Sequence, residues 1–269
     1  MSFIKYILFF TIITIFVSGC GKYDLENRIN LANSIAKKGN LQKIDIDTDD
    51  FRLRGYLKNI ANSEILKVYI EGDGFAWINR YTISPNPTPI NPQALRFASW
   101  DKSDTVLYLA RPCQYNITKN CTNKYWTDDR FSSIVIDNIN QAITKIKKIT
   151  NSKKIELIGF SGGGAIATIV ASKRDDVIKI ITIAGNLNHK LLSEYHHISY
   201  MKGSLNPVDI ASKISNIPQI HYVGAKDKII PIIIANSFLK ASSNKKSIKI
   251  NIIKDASHHK GWDILKGKI

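Results

Sequence analysis

The sequence predicts an α/β fold in which a mostly parallel sheet is wrapped by helices, and three observations carry that reading. Between residues 65 and 253, short apolar runs rich in β-branched residues alternate with segments of helical apolar spacing, the order that strand–helix–strand units produce. The clearest unit reads "KIELIGF", a glycine turn, "GAIATIVASKR" and "VIKIITIAG", and a parallel neighbour requires a crossover of about that length. The chain has 269 residues and no internal repeat, enough for a single large core.

At the N-terminus, Lys5 precedes an apolar run from Tyr6 to Val17, which ends in Ser18, Gly19 and Cys20. The run is too short to span a bilayer and has the size of a signal-peptide apolar region. Its end, "VSGC", resembles the lipobox of bacterial lipoproteins, in which the cysteine is diacylated and becomes the new N-terminus once residues 1–19 are removed. A conventional signal peptide cut near the same place would instead leave Cys20 free. Two or three acyl chains anchor a protein stably, whereas one does so only marginally. The expectation is therefore an exported protein, lipid-anchored through Cys20 to a bacterial membrane. Glycine after the cysteine implies an outer membrane or cell surface where an outer membrane exists. Residues 20–48 read as a polar tether with one short helix, "LENRINLANSIAKKG", ending at Gly39, and the folded domain is expected over 49–269.

Within that domain "ILKVYIEG" (65–72) and "DTVLYLA" (104–110) suit strands buried on both faces. Val135, Ile139, Ala142, Ile143 and Ile146 then recur at helical spacing, with Asp137, Asn138, Gln141 and Lys145 off that face. Besides Cys20 the cysteines are Cys113 and Cys121. An even pair in an exported domain is most simply a disulfide, with two free thiols as the alternative. The formal net charge of +16 comes from scattered lysines. No basic stripe with interleaved aromatics supports a nucleic-acid partner, while attraction to anionic lipid head groups fits the charge.

The glycine turn is where chemistry enters. Gly159-Phe160-Ser161-Gly162-Gly163 is a G-x-S-x-G string between a strand and a helix, a setting that lifts a serine hydroxyl out of the sheet on a tight turn. A phosphate-binding loop does not fit, because no lysine follows the glycines until Lys173, and their spacing is not that of a dinucleotide fingerprint. A serine nucleophile needs a base to take its proton and an acid to orient that base. Asp227 stands just past the strand in "QIHYVGAKDKIIP", and His258 and His259 just past the strand in "KINIIKDASHHKGW", at the strand ends where such sheets place their sites. Adjacent histidines point different ways, so only one of His258 and His259 can serve as the base. Asp175 and Asp176 read as a solvated turn.

"GFSGG", "GAKDKIIP" and "ASHH", in that order, resemble the α/β-hydrolase superfamily over roughly residues 51–262. The resemblance implies the α/β-hydrolase fold, no cofactor, and a Ser161–Asp227–His258 triad acting on an ester substrate. In such hydrolases the base commonly follows a short small-residue turn, here Ala256-Ser257, which favours His258 with His259 the runner-up. It also implies an oxyanion hole built from the N–H of Gly162 and a second N–H around Gly74 or Phe75, in "YIEGDGFAW" (69–77). That loop departs from the usual His-Gly opening with Glu71-Gly72. The segment around 186–215 reads as an insertion near the active site. Its His189, His196 and His197, with Tyr195 and Tyr200, could line a substrate mouth, but they lack the spacing of a metal-ligand set, so no metal is expected. A peptidase or thioesterase on the same triad, or a non-catalytic lipoprotein that keeps the fold as a binding module, are the alternatives. The lipobox reading has a direct check: Cys20→Ser is expected to leave the precursor uncleaved and without incorporated palmitate, and palmitate labelling of that variant would refute it.

Overall fold

The computed structural model describes residues 24–60 and 63–269. The candidate signal peptide and Cys20 lie outside the described residues. In chain order the elements are α1 (Leu25–Lys38), β1 (Gln42–Asp47), β2 (Arg52–Asn59), β3 (Ile65–Ile70), α2 (Gln93–Trp100), β4 (Thr105–Leu109), α3 (Ser133–Ile149), β5 (Lys154–Phe160), α4 (Gly162–Ala171), β6 (Val177–Ile183), α5 (His189–His196), β7 (Gln219–Gly224), α6 (Ile232–Ala241) and β8 (Ile248–Ile253), with short 3-10 turns between some of them. The strands form one eight-stranded sheet in the order β1-β2-β4-β3-β5-β6-β7-β8. β2 runs antiparallel to β1 and to β4, and every pairing from β4 to β8 is parallel. This is the α/β-hydrolase fold.

The sheet is covered on both faces, which is why its central strands carry apolar residues without alternation. On one side α3, α4 and α6 pack on Leu66, Val68, Leu107, Leu157 and Ile180. On the other, α1, α2 and the C-terminal segment around Trp262 and Leu265 pack on Tyr69, Tyr108, Ile158 and Ile181. β5 and α4, which flank Ser161, therefore sit at the centre of the molecule: the last four residues of β5 and all ten residues of α4 are buried.

Two expectations are corrected here. The first concerns residues 20–48, read as a tether around a short helix. The helix is present and ends at Gly39, but it is part of the domain: Ala32, Ile35 and Ala36 are buried against the second core, and Tyr56 Oη donates to Asn33 Oδ1 at 2.7 Å. Residues 42–47 pair with β2 over six positions as the edge strand. Helix α1 looks polar in sequence because its buried stripe is narrow, made of Arg28, Ala32, Ile35 and Ala36. The second correction is Asp176, which is buried and bonded by Arg174 and Lys147 instead of lying in a solvated turn. Among the described residues, no helix is long and apolar enough to cross a membrane.

Cys113 and Cys121 form a disulfide, with Cα atoms 5.6 Å apart. The bridge closes a loop that comes after β4 and holds Arg111 and Gln114 at its base. Closing so short a loop stabilises the fold by about 2–3 kcal/mol in the chain-entropy account. Reduction, or the paired change Cys113→Ala/Cys121→Ala, is expected to lower Tm by several degrees, and intact mass after alkylation without reductant should show neither thiol labelled.

Candidate active site

Ser161 begins α4 with φ 52° and ψ −120°, outside the regions a non-glycine residue ordinarily occupies. The turn is fixed from both sides: Ser161 N–H donates to Ile183 O at 3.0 Å, and its carbonyl accepts from Gly164 and Asn186, each at 3.0 Å. Such a turn brings strand and helix into near contact. A Cβ on Gly159 would lie 2.2 Å from Gly163 O, and one on Gly163 would lie 2.1 Å from Ile70 O, so glycine is required at both.

The turn aims Ser161 Oγ at His258, whose Nε2 lies 3.0 Å away. His258 Nδ1 in turn lies 2.9 Å from Asp227 Oδ2. The other oxygen of Asp227 accepts the backbone N–H groups of Ile229 and Ile230 at 2.8 and 2.9 Å. Burial alone would raise the Asp227 carboxyl; the hydrogen bond and charge of His258, with those two amides, hold it below the ordinary carboxylate value. The imidazole is further placed by Phe160, whose ring centroid is 5.2 Å away, and by Trp262 Nε1, which donates to His258 O at 3.1 Å. Trp262 is buried as a packing residue, though the chain beyond it forms a single 3-10 turn and not a helix. His259 bonds to neither Ser161 nor Asp227; it is exposed, lies edge-on to His258 at 4.8 Å and 6.4 Å from the Phe160 ring, and lines the pocket. The structure thus brings Ser161, His258 and Asp227 into one hydrogen-bonded line and leaves His259 beside it.

The pocket over Ser161 has a volume of about 260 Å³ and is walled by the 71–75 loop, Pro89 to Asn91, Phe160, Ile229 and the two histidines. Gly162 opens α4, where a helix's first N–H groups have no internal partner. In the loop, Phe75 N–H donates to Pro87 O at 3.0 Å, so Phe75 is corrected as an oxyanion donor. Gly72 N–H is bound to Glu71 Oε1 at 2.9 Å. The amides of Asp73 and Gly74 remain without a backbone acceptor among the described residues. A Cβ on Gly162 would collide with Asp73 Oδ1 at 2.1 Å, which sets Asp73 beside the serine turn. Sequence reasoning missed how this loop is held. Asp73 pairs with Arg111 and, at 2.6 Å, with Arg130, and Gln114 Nε2 donates to Gly72 O at 3.0 Å. Burial would raise the Asp73 carboxyl, but the two guanidinium groups pull it below its ordinary value. Nothing local in the sequence marks these partners, which come 38 to 57 residues later.

The segment 186–215 contributes no residue to this pocket. It borders a separate cavity of about 780 Å³ with the C-terminal end of α4, and His189 is buried there. His196 reaches instead to Ile229 O, 2.8 Å away, and His197 caps α5 in a left-handed conformation. Of the three only His196 approaches the pocket, through Ile229, and the expected substrate-mouth role is corrected for His189 and His197. Among the described residues no group of three His, Cys, Asp or Glu is arranged to hold a metal ion.

Fold and site together define a serine hydrolase built on the α/β-hydrolase sheet. The chain belongs to the family described as "Serine hydrolase (FSH1)", whose model matches residues 84–259; the match begins after the Glu71–Phe75 loop. Among solved structures it is similar to an esterase of Pyrococcus furiosus (TM-score 0.61, 14% identity, covering 85% of this chain and 87% of that one). It is also similar to Est1E of Butyrivibrio proteoclasticus (TM-score 0.60, 15% identity, 84% and 95%). An acylaminoacyl peptidase of Pyrococcus horikoshii matches at TM-score 0.57 and 15% identity, and there the match spans 83% of this chain but only 38% of the peptidase. No curated protein matches the chain by sequence.

Glu71 occupies the loop position where a histidine is usual. Its side chain is buried, Oε1 accepts Gly72 N–H and, at 3.3 Å, Ala94 N–H at the start of α2, and Oε2 has no partner among the described residues. Burial pushes the carboxyl from 4.5 up to about 7 despite those amides. Because the folded state holds this proton more tightly, the contribution is fully present below about pH 4.5 and fades as pH rises to about 7, some 3 kcal/mol in all. Glu71→Gln is accordingly expected to match the wild type in stability near pH 4.5 and to exceed it increasingly up to pH 7, with no further divergence above. Denaturant midpoints measured across that range check this.

Proposed function

We propose that the protein is an extracytoplasmic serine hydrolase, tethered to a bacterial membrane through Cys20, that cleaves carboxylic esters with Ser161 as nucleophile, His258 as general base and acid, and Asp227 as the group that orients His258. The single observation that carries this reading is the continuous line Asp227 Oδ2–His258 Nδ1, His258 Nε2–Ser161 Oγ, at 2.9 and 3.0 Å. In the reaction Ser161 Oγ attacks the acyl carbon as His258 Nε2 takes its proton. Asp227 keeps the Nδ1 proton in place and stabilises the imidazolium. The developing oxyanion faces the N–H of Gly162 and an amide of Asp73 or Gly74; one such donor typically contributes about 3–4 kcal/mol. His258 then protonates the departing alcohol. Water, deprotonated by His258, attacks the acyl-enzyme, and the carboxylic acid leaves as Ser161 regains its proton.

Family membership and the esterase neighbours support the ester reading. A peptidase reading has a structural neighbour too, but this chain spans little more than a third of it. For the tether, "VSGC" and a disulfide that calls for an oxidising compartment are the supports. The test is a panel of chromogenic esters on the chain from residue 21. Ser161→Ala and His258→Ala are expected to lower kcat by about 10⁴–10⁶-fold, and His259→Ala by less than about tenfold. Retained turnover in Ser161→Ala, or loss in His259→Ala with His258→Ala active, would overturn the assignment.

A further inference from the structure

The rim of the pocket carries large apolar side chains that the core does not use. The loop leaving Phe75 folds into a small hairpin through the Trp77–Ile83 bridge and the Ile78 N–H to Thr82 O bond. It holds Trp77, Ile78 and Tyr81 at the surface, Tyr81 being 84% exposed. A second group gathers at the loop after Asp227. Ile229 lines the pocket and is itself half-exposed. The contact of His196 with Ile229 O brings the end of α5 alongside, and with it exposed Tyr195 and Ile198. Interleaved with these are cations: Arg80, whose guanidinium lies 5.9 Å from the Tyr81 ring centroid, Lys228 next to Ile229, and Lys260 next to His259. All three are exposed, and none has an ion pair among the described residues.

The N-terminal end of the described residues lies at the same rim. In the first turn of α1, Arg28 donates to Thr88 O at 2.6 Å and to Asn86 O at 3.3 Å, and its guanidinium lies 5.6 Å from the ring centroid of Phe75. Phe75 and Pro89 both line the pocket. Cys20 precedes Asp24 by four residues, a span of at most about 14 Å. An attachment at Cys20 therefore holds the pocket rim, and not the far end of the sheet, against the membrane.

We propose that this rim docks on an anionic membrane surface and that the esters hydrolysed are acyl esters of amphiphiles residing in it. The substrate half rests on the hydrolase reading above; the docking half does not. Tryptophan, tyrosine and isoleucine beside cations are the side chains that partition into the head-group region, and basic residues near an anionic surface strengthen that binding. The +16 net charge acts in the same sense. A pocket of about 260 Å³ is smaller than the roughly 300–1,000 Å³ of sites that engulf a whole ligand. It takes the ester and the adjoining part of the acyl chain while the remainder stays in lipid.

The test uses the chain from residue 21, which retains every strand and both cores. In the Ser161→Ala background it is expected to co-sediment with phosphatidylglycerol–phosphatidylethanolamine vesicles, less with phosphatidylcholine, and less as salt is raised. Trp77→Ser/Ile78→Ser/Tyr81→Ser should weaken that binding at least tenfold. With Ser161 restored, the same triple change should leave turnover of a short soluble ester within about twofold while cutting turnover of vesicle-borne ester at least tenfold. Tyr195→Ser/Ile198→Ser, on the other part of the rim, is an independent variant should the hairpin changes misfold. Vesicle binding unaltered in both variants, no binding by the parent, or self-association of the parent in its place would each overturn docking. Vesicle binding with no hydrolysis of either ester would sink the hydrolase reading and leave docking intact.

Discussion

The geometry of the site hangs on one backbone turn. Ser161 is held at φ 52°, ψ −120°, at a cost of about 1–3 kcal/mol for a residue with a Cβ, and it stays there because the surroundings leave no alternative. β5 lies between β3 and β6, the Ser161 amide and carbonyl are taken by Ile183, Gly164 and Asn186, and Gly159 and Gly163 let strand and helix approach where any side chain would collide. A turn relaxed into ordinary helix would swing Oγ away from His258. The strain is offset by the burial of α4 and β5 on both sides, so it is the position of this unit at the centre of the sheet that sustains the nucleophile's orientation.

Around that turn, charge is handled in two different ways. Asp73 is held below its ordinary value by Arg111 and Arg130, an arrangement that fixes the loop beside Gly162 with two cations on one carboxylate. A buried pair of this kind adds little net stability, since desolvation offsets attraction, but breaking it is costly, which suits a positioning role. Glu71, one residue before Gly72, has no cation in hydrogen-bond contact and keeps its proton up to about pH 7. The loop thus combines a carboxyl held below its ordinary range with one raised to about 7, and only the first presses on the serine turn. The disulfide belongs to the same device: Arg111 and Gln114, which hold Asp73 and Gly72, stand at the base of the loop that Cys113 and Cys121 close.

Helix α1 ties this machinery to the N-terminal end of the described residues. Its buried face completes the second core, while Arg28 at its first turn grips the backbone of residues 86–88 beside the pocket. One short helix therefore covers the sheet and brings the N-terminal entry point to the same rim as the candidate site. The apolar and basic side chains around that rim come from two loops, those after Phe75 and after Asp227, whose backbones are committed to the site but whose tips are free to face outward.

What the sequence determined by itself is what short-range physics encodes. Period and β-branching marked the strands from Ile65 onward, consecutive glycines marked the turn at Ser161, and the ends of β7 and β8 marked Asp227 and His258, because each signal lies within about a dozen residues. The two cysteines were legible as a pair for the same reason. The tertiary structure alone decided that residues 25–47 belong to the sheet and its cover, since a stripe as narrow as Ala32, Ile35 and Ala36 marks a core helix only once Tyr56 and α2 lie against it. It alone showed Phe75 N–H engaged by Pro87 and thereby removed from the oxyanion donors. It also set His258, and not His259, between serine and aspartate, and it alone revealed Asp73 held by Arg111 and Arg130. Those partners lie 38 and 57 residues from Asp73 along the chain; a hydrogen bond is directional and short-ranged, so which groups meet across such separations is settled by how strands and loops pack and leaves no local trace in the order of residues.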